Sequence, residues 1–384
     1  MSKYIWLMIF LVLLSPVLFS GSLYPDKPDM VIQRGGGIII LRDLDGDEKA
    51  EIIFPEGSPR IYKLTGDTWE EEEKLSLWWQ VKRAILEDLN GDGKLDLVLS
   101  GNLAGTSPRY LGGIYWGKDG SFSKDPFLLG SEKIYGGGGM TAGDFNGDGK
   151  PDLAFSTDEK VFIFLGKGGK IPFDNNPDLS IEAKKGWLTA EDLDKDGKDE
   201  IVWSGCPTPL KIFKLKEKSF EVLWEVPKAY CPSGGIFLKD FSNDGIVDML
   251  LLTAGYWKVG KVTLFLGEKD VLFLSTPGYG ISPPEEYKLD IVRSGAVGDM
   301  DGDGDLDVVV GFARKNSLGK TLIYLNDGKG NFKELKDWSS ELGGSVSLGD
   351  INGDGKLDIA ISEPWGPWMR GKNVKPATYI YLHK

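Results

Sequence analysis

The pattern D-x-(D/N/S)-x-D-x-x-x-(D/E) occurs seven times in this chain, starting at Asp43, Asp88, Asp144, Asp192, Asp240, Asp299 and Asp350. Successive starts lie 45, 56, 48, 48, 59 and 51 residues apart. Self-similarity at that period means one supersecondary unit, repeated and stacked as a solenoid, a propeller or an array. Any fold for the chain has to place seven such units equivalently.

Each copy runs directly into a short apolar stretch: "IIF", "LVLS", "LAFS", "IVWS", "MLLL", "VVVG" and "IAIS". Further strand-like runs follow, such as "KVFIFLGK", "KVTLFLGE" and "KTLIYLND", separated by Gly-rich or polar turns. Four short antiparallel strands fit in about 50 residues, as a propeller blade requires. The last unit has a strand before its loop, one after it and a third in "ATYIYLHK", but no fourth. At the other end, "DMVIQ" (Asp29 to Gln33) is a spare strand. Pairing these two closes a ring and leaves no long sheet edge open. The expected fold is all-β: a seven-bladed β-propeller of four-stranded antiparallel blades, closed by an N-terminal strand that completes the last blade. An open stack of repeats is the alternative, but it calls for polar capping units at its ends.

A carboxylate cluster repels itself unless a cation sits inside it. In the third loop Asp144, Asn146 and Asp148 alternate, so their oxygens converge if the chain curls, and Gly149 permits the left-handed backbone of that curl. Asp152 closes the set. Oxygen donors at positions one, three and five, a free carbonyl at seven and Gly at six describe a site for a hard cation, most simply Ca²⁺. An EF-hand would have Glu at position twelve, where Phe155 stands, so the loop leads into a strand rather than a helix. The corresponding donors elsewhere are Asp43, Asp45, Asp47 and Glu51; Asp88, Asn90, Asp92 and Asp96; Asp192, Asp194, Asp196 and Glu200; Asp240, Ser242, Asp244 and Asp248; Asp299, Asp301, Asp303 and Asp307; and Asp350, Asn352, Asp354 and Asp358. Up to seven structural Ca²⁺ are expected.

These residues resemble the FG-GAP/VCBS repeat family, the propeller type also found in the head of integrin alpha chains. The resemblance runs from about Tyr24 to the C-terminus and rests on the seven loops in combination. It implies a seven-bladed ring with Ca²⁺ between the first two strands of a blade. It implies no single activity, because propellers host many functions. Two loops depart from the pattern: Glu48 stands where Gly is expected, and Ser242 replaces a stronger ligand. Those two are expected to hold calcium more weakly.

The chain has 384 residues, with 58 Asp and Glu against 45 Lys and Arg, a formal charge of −13. Of the acidic residues, 24 sit at loop positions one, three, five and nine. Acidity is thus explained by metal sites, and it argues against nucleic-acid binding through a basic patch. Scarce Gln, His and Met beside abundant Lys and Glu fit a thermophile-like composition.

Residues 1–22 read as a signal peptide. Lys3 provides the positive start, Tyr4 to Phe19 is apolar apart from Ser15, and small residues follow at Ser20 to Ser22. The alternative is an uncleaved membrane anchor, the one membrane attachment the sequence suggests. Residues 23–384 then form a single propeller, secreted or held at the cell surface. Cys206 and Cys231 are the only cysteines, and an exported context makes one disulfide the expected state.

The single histidine, His383, is penultimate, which removes histidine from nearly every catalytic role. No carboxylate outside the loops has motif support, so no catalytic residue is assigned and the reading leans away from an enzyme. In an antiparallel blade all seven acidic loops share one face. The other face carries longer segments: Ser100 to Gly113, Thr253 to Lys261, Ser275 to Asp290 and Ser362 to Ala377. Exposed Tyr, Trp and Arg are typical binding anchors. Arg109, Tyr110, Tyr256, Trp257, Tyr279, Trp365, Trp368 and Arg370 are therefore the candidate ligand-face residues. The expected function is a protein- or glycan-binding adhesion module. The alternative is an extracellular polysaccharide lyase or glycosidase on the same scaffold.

Overall fold

The computed structural model describes residues 22–77, 79–103, 110–130, 138–253, 261–269, 272–273, 279–281, 291–313, 319–363 and 376–384. The signal-peptide segment expected at residues 1–22 lies outside them, apart from Ser22. The described residues contain strands and turns and no helix.

Seven four-stranded antiparallel sheets succeed one another along the chain. Their innermost strands are Ile40–Arg42, Trp79–Glu87, Met140–Gly143, Trp187–Glu191, Pro232–Lys239, Ile291–Gly298 and Ser345–Gly349. Each second strand begins at position nine of its acidic loop, at Glu51, Asp96, Asp152, Glu200, Asp248, Asp307 and Asp358. These second strands lie in the middle of a blade with a neighbouring blade on either side. That placement explains why they read as continuous apolar runs rather than alternating ones.

The core is divided among the gaps between blades. Among the described residues seven buried clusters occur, one for each of the seven gaps of a closed ring. Alternation along the second strand of blade two shows how: Leu97 and Leu99 pack toward blade one, while Val98 packs toward blade three. The residue at loop position two is a further wedge in these gaps; Leu89, Phe145, Phe241, Met300 and Ile351 are all buried.

Closure follows the expected route. Met30–Ile32 pairs antiparallel with Ala377–Tyr381, matching Met30 with Ile380 and Ile32 with Thr378. The Asp29 N–H donates to the Ile380 carbonyl (2.8 Å), and the Leu382 N–H donates to Asp29 Oδ2 (2.8 Å). Ahead of this strand, Tyr24 is fully buried among residues of blades six and seven. Its hydroxyl donates to the Leu357 carbonyl (2.6 Å), and its ring meets Trp338 and His383.

Candidate metal loops and the opposite face

All seven acidic loops fold alike, because the position-one carboxylate organises the backbone. Its Oδ2 accepts the N–H of position six in every copy, at 2.7–3.0 Å. The position-nine carboxylate accepts the N–H of position two in every copy, at 2.8–3.0 Å. Position five accepts the N–H of position seven. The curl needs left-handed backbone at positions four and six alike. Position four is Gly46, Gly91, Gly147, Lys195, Asn243, Gly302 or Gly353, all with positive φ. Position six is Gly in six loops and Glu48, at φ 67°, in the first. The departure at Glu48 is therefore accommodated in the regular loop geometry, with its strain retained. Replacing Glu48 with Gly is expected to stabilise the protein by roughly 0.5–1 kcal/mol, the left-handed penalty less glycine's entropy. A shift of the urea midpoint at unchanged slope would register it; a destabilised variant would show the loop to be unstrained.

The position-nine residue divides the loops into two kinds. Where it is Asp, its second oxygen accepts a backbone N–H from the end of the third strand. The donors are Gly117, Gly166, Gly267, Asn326 and His383, at 2.6–2.8 Å. Burial pushes Asp152 and Asp307 up to about 7, and Asp96 and Asp358 up to about 6; the backbone donors pull the other way. Where position nine is Glu, in loops one and four, the buried Glu51 Oε1 and Glu200 Oε1 receive no backbone N–H, and a lysine ammonium lies among the loop oxygens instead. Lys63 pairs with Asp45, with Asp47 (2.9 Å) and with Glu51 (3.6 Å). Lys214 pairs with Asp194 (2.5 Å), Asp196 (2.8 Å) and Glu200 (2.9 Å). Burial opposes the charge on Lys214, but the three carboxylates outweigh it and hold its ammonium above the usual lysine range.

Register shows that this is a substitution at one equivalent position. The residue after position nine pairs with an aromatic in every blade: Tyr62, Tyr115, Phe164, Phe213, Phe265, Tyr324 and Tyr381. The residue following that aromatic is Trp116, Leu165, Leu266, Leu325 or Leu382 in the five Asp loops, and Lys63 or Lys214 in the two Glu loops. The sequence reading missed both lysines. The joint appearance of Glu at nine and Lys after the aromatic was the available signal.

Three loops bring three carboxylates within 4.8 Å of one another: Asp43, Asp45 and Glu51; Asp192, Asp194 and Glu200; and Asp299, Asp301 and Asp303. The first two hold the lysines. In loop six, among the described residues, no ammonium enters the cluster, and the all-oxygen donor set fits a hard cation.

On the opposite face Cys206 and Cys231 are bonded, with Cα atoms 5.0 Å apart, linking a loop of blade four to the start of blade five. Of the candidate ligand-face residues, Arg109, Tyr256, Trp257, Trp365, Trp368 and Arg370 lie outside the described residues. Tyr279 lies in the outer strand of blade five. Tyr110 is half-buried and packs onto the cluster between blades one and two.

A closed ring of seven blades, each opening its first hairpin with an acidic loop, defines the class as a repeat propeller. The repeat described as FG-GAP-like matches residues 88–155, 144–203, 240–310 and 299–361, and the FG-GAP repeat matches 342–383. The chain belongs to the FG-GAP-like repeat family. It is 38% identical over 87 residues to Integrin alpha pat-2 of Caenorhabditis elegans, and 35% identical over 97 residues to Integrin alpha-4 of Xenopus laevis. These alignments cover 21% and 22% of the chain, and only 7% and 9% of the two integrins. Among solved structures, BBS1N in complex with ARL6DN aligns over 95% of this chain and 98% of its own, at 10% identity and a TM-score of 0.60. An Agrocybe aegerita lectin, described for its recognition of non-reducing terminal N-acetylglucosamine, aligns over 79% of this chain and 81% of its own. Its identity is 18% and its TM-score 0.52. At such identities the likeness is one of fold.

Proposed function

We propose that the protein is an extracellular binding module whose acidic loops hold structural calcium and whose opposite face takes a glycan or protein ligand. The observation that carries this reading is the segregation of the two faces. Every acidic loop lies at one end of the blades and is occupied with its own backbone and side-chain hydrogen bonds. The other end carries the disulfide and the strand ends that the longer sequence segments join. The integrin alpha relatives and the lectin's fold support a binding role, and a disulfide suits an oxidising compartment.

Calcium occupies the loops unequally in this reading. Lys63 and Lys214 supply the counter-charge in loops one and four, which leaves loops two, three, five, six and seven for Ca²⁺. Titration by calorimetry or mass spectrometry is expected to count five ions. Lys63→Met and Lys214→Met are each expected to add one. Seven ions in the parent protein would show that calcium displaces the lysines.

The face is tested by steric blocking. The described chain has no free cysteine, so single cysteines can be labelled selectively. Asp158 lies in a loop on the opposite face, and Asp119 in a hairpin beside the acidic loops. A polyethylene-glycol adduct at Asp158→Cys should abolish binding on a glycan array, whereas the same adduct at Asp119→Cys should leave it intact. The reverse result would overturn the assignment. Release of unsaturated or reducing sugar ends would move the protein into the carbohydrate-active enzymes.

A further inference from the structure

The inner strand of blade two contains an irregularity that aims one side chain. Val81 pairs with Gly101 and Arg83 with Ser100, so Lys82 is an extra residue in a β-bulge. Bulges bend a strand and redirect its side chains, and they recur beside binding sites. Here the bulge carries Arg83 past blade three to blade four, where its guanidinium lies 3.4 Å from the centroid of the Trp187 ring. Cation–π stacking of this kind fixes the plane of the guanidinium.

Among the described residues the one hydrogen bond of Arg83 is from its Nη1 to the Lys82 carbonyl (2.7 Å), and its Nε is buried without a partner. No carboxylate among the described residues pairs with it. Burial alone lowers its pKa, to about 10. Arg83 is half-buried, with its Nε out of water and its Nη1 edge exposed, and in a chain of net charge −13 an acidic partner would have been easy to place.

The guanidinium borders a recess of about 340 Å³ at the mouth of the ring's channel, on the face opposite the acidic loops. Lys82 and Lys185 also line it, and among the described residues its lining includes no Asp or Glu. Asp158 reaches Lys185 only at the rim, at 3.8 Å, with both side chains exposed. Backbone at Gly138, Gly139 and Gly186 forms another wall. A Cβ on Gly139 would come within 2.1 Å of the Gly186 carbonyl, so blades three and four meet there without side chains. The result is an open, cationic, glycine-walled socket with one aromatic plane.

We propose that this recess binds an acidic sugar of the uronate or sialate class, with its carboxylate received by the free edge of Arg83. A planar guanidinium matches a carboxylate in two parallel hydrogen bonds. The volume lies in the range of small-molecule sites and far exceeds what one Asp or Glu side chain fills. That favours a sugar ring over an acidic peptide. Lys82 and Lys185 add long-range attraction and rim contacts to hydroxyls.

This subsite rests on the reading of the face as the binding face, and its test separates the two. The probes are methyl glucuronide and the methyl glycoside of N-acetylneuraminate, with glucuronamide, methyl glucoside 6-sulfate and a tetraglutamate peptide as controls. Binding to the calcium-loaded full chain is followed by calorimetry or ligand-observed NMR. The acidic sugars are expected to bind about tenfold or more tightly than the controls. Arg83→Gln should remove that preference at an unchanged melting temperature, Arg83→Lys should restore part of it, and Lys185→Gln should weaken it less. If Arg83→Gln fails to fold, the glucuronate-to-glucuronamide ratio measured on the parent protein still decides, and a ratio near one overturns the proposal. Preference for tetraglutamate or for the sulfate also overturns it. If the adduct at Asp158→Cys blocks glycan binding while Arg83→Gln leaves it unchanged, the face stands and the subsite falls.

Discussion

Chelation of calcium is expected to lower the melting temperature by tens of degrees. A metal that binds only the folded state stabilises it by mass action, about 2.7 kcal/mol per site at a hundredfold excess over its dissociation constant. Five such sites amount to about 13 kcal/mol, as much as the whole stability of a typical domain. The loops without metal keep their backbone hydrogen bonds but leave acidic oxygens facing one another. Calorimetric scans in EDTA and in excess calcium make the comparison, and coincident curves would show that the loops need no ion. Among single changes, Asp144→Ala should cost far more than Ser242→Ala. Asp144 accepts the N–H groups of Gly147 (2.7 Å), Asp148 (3.1 Å) and Gly149 (2.7 Å), so its loss undoes the curl as well as a ligand.

The second large effect is expected at Tyr24. Truncation of a fully buried aromatic costs about 3–5 kcal/mol, and Tyr24→Ala should fall in that range. The ring fills the gap between blades six and seven, and its hydroxyl satisfies the Leu357 carbonyl. Tyr24→Phe keeps the ring and loses the hydrogen bond, for about 1 kcal/mol. Chemical denaturation of both variants separates the two contributions. A Tyr24→Ala protein of parental stability would show that the segment ahead of the closing strand contributes nothing to the ring.

The architecture was legible because it depends on quantities that survive in one dimension. Period, loop composition and the count of strands at each end are such quantities, and the pairing of Met30–Ile32 with Ala377–Tyr381 follows from them. What escaped depends on register. Lys63 and Lys214 are 18 residues from the loop carboxylates Asp45 and Asp196, and only the pairing of the second and third strands brings them there. The left-handed demand at position four was hidden because Lys195 and Asn243 meet it without glycine. Arg83 was invisible for a similar reason: a one-residue bulge decides whether it faces the channel or the neighbouring blade. Most of the aromatic ligand-face candidates fall outside the described residues, and Tyr110, which falls inside, serves the core as well.

The strand that closes the ring also sets a timetable. Ile32 and Thr378 are neighbours in the folded sheet but are made 346 residues apart. At roughly 5–20 residues per second, the first waits for the second on the order of 20–70 seconds. Blades one to six have their strands in local order and can form as the chain appears, whereas blade seven cannot be completed until Ala377–Tyr381 has been made. During that interval Met30–Ile32 is an unpaired strand, and the apolar flank of blade one that will meet blade seven is uncovered. A cell making this protein therefore has a defined window in which a chaperone holds it or a neighbouring nascent chain pairs with it, and the window ends with one three-residue strand.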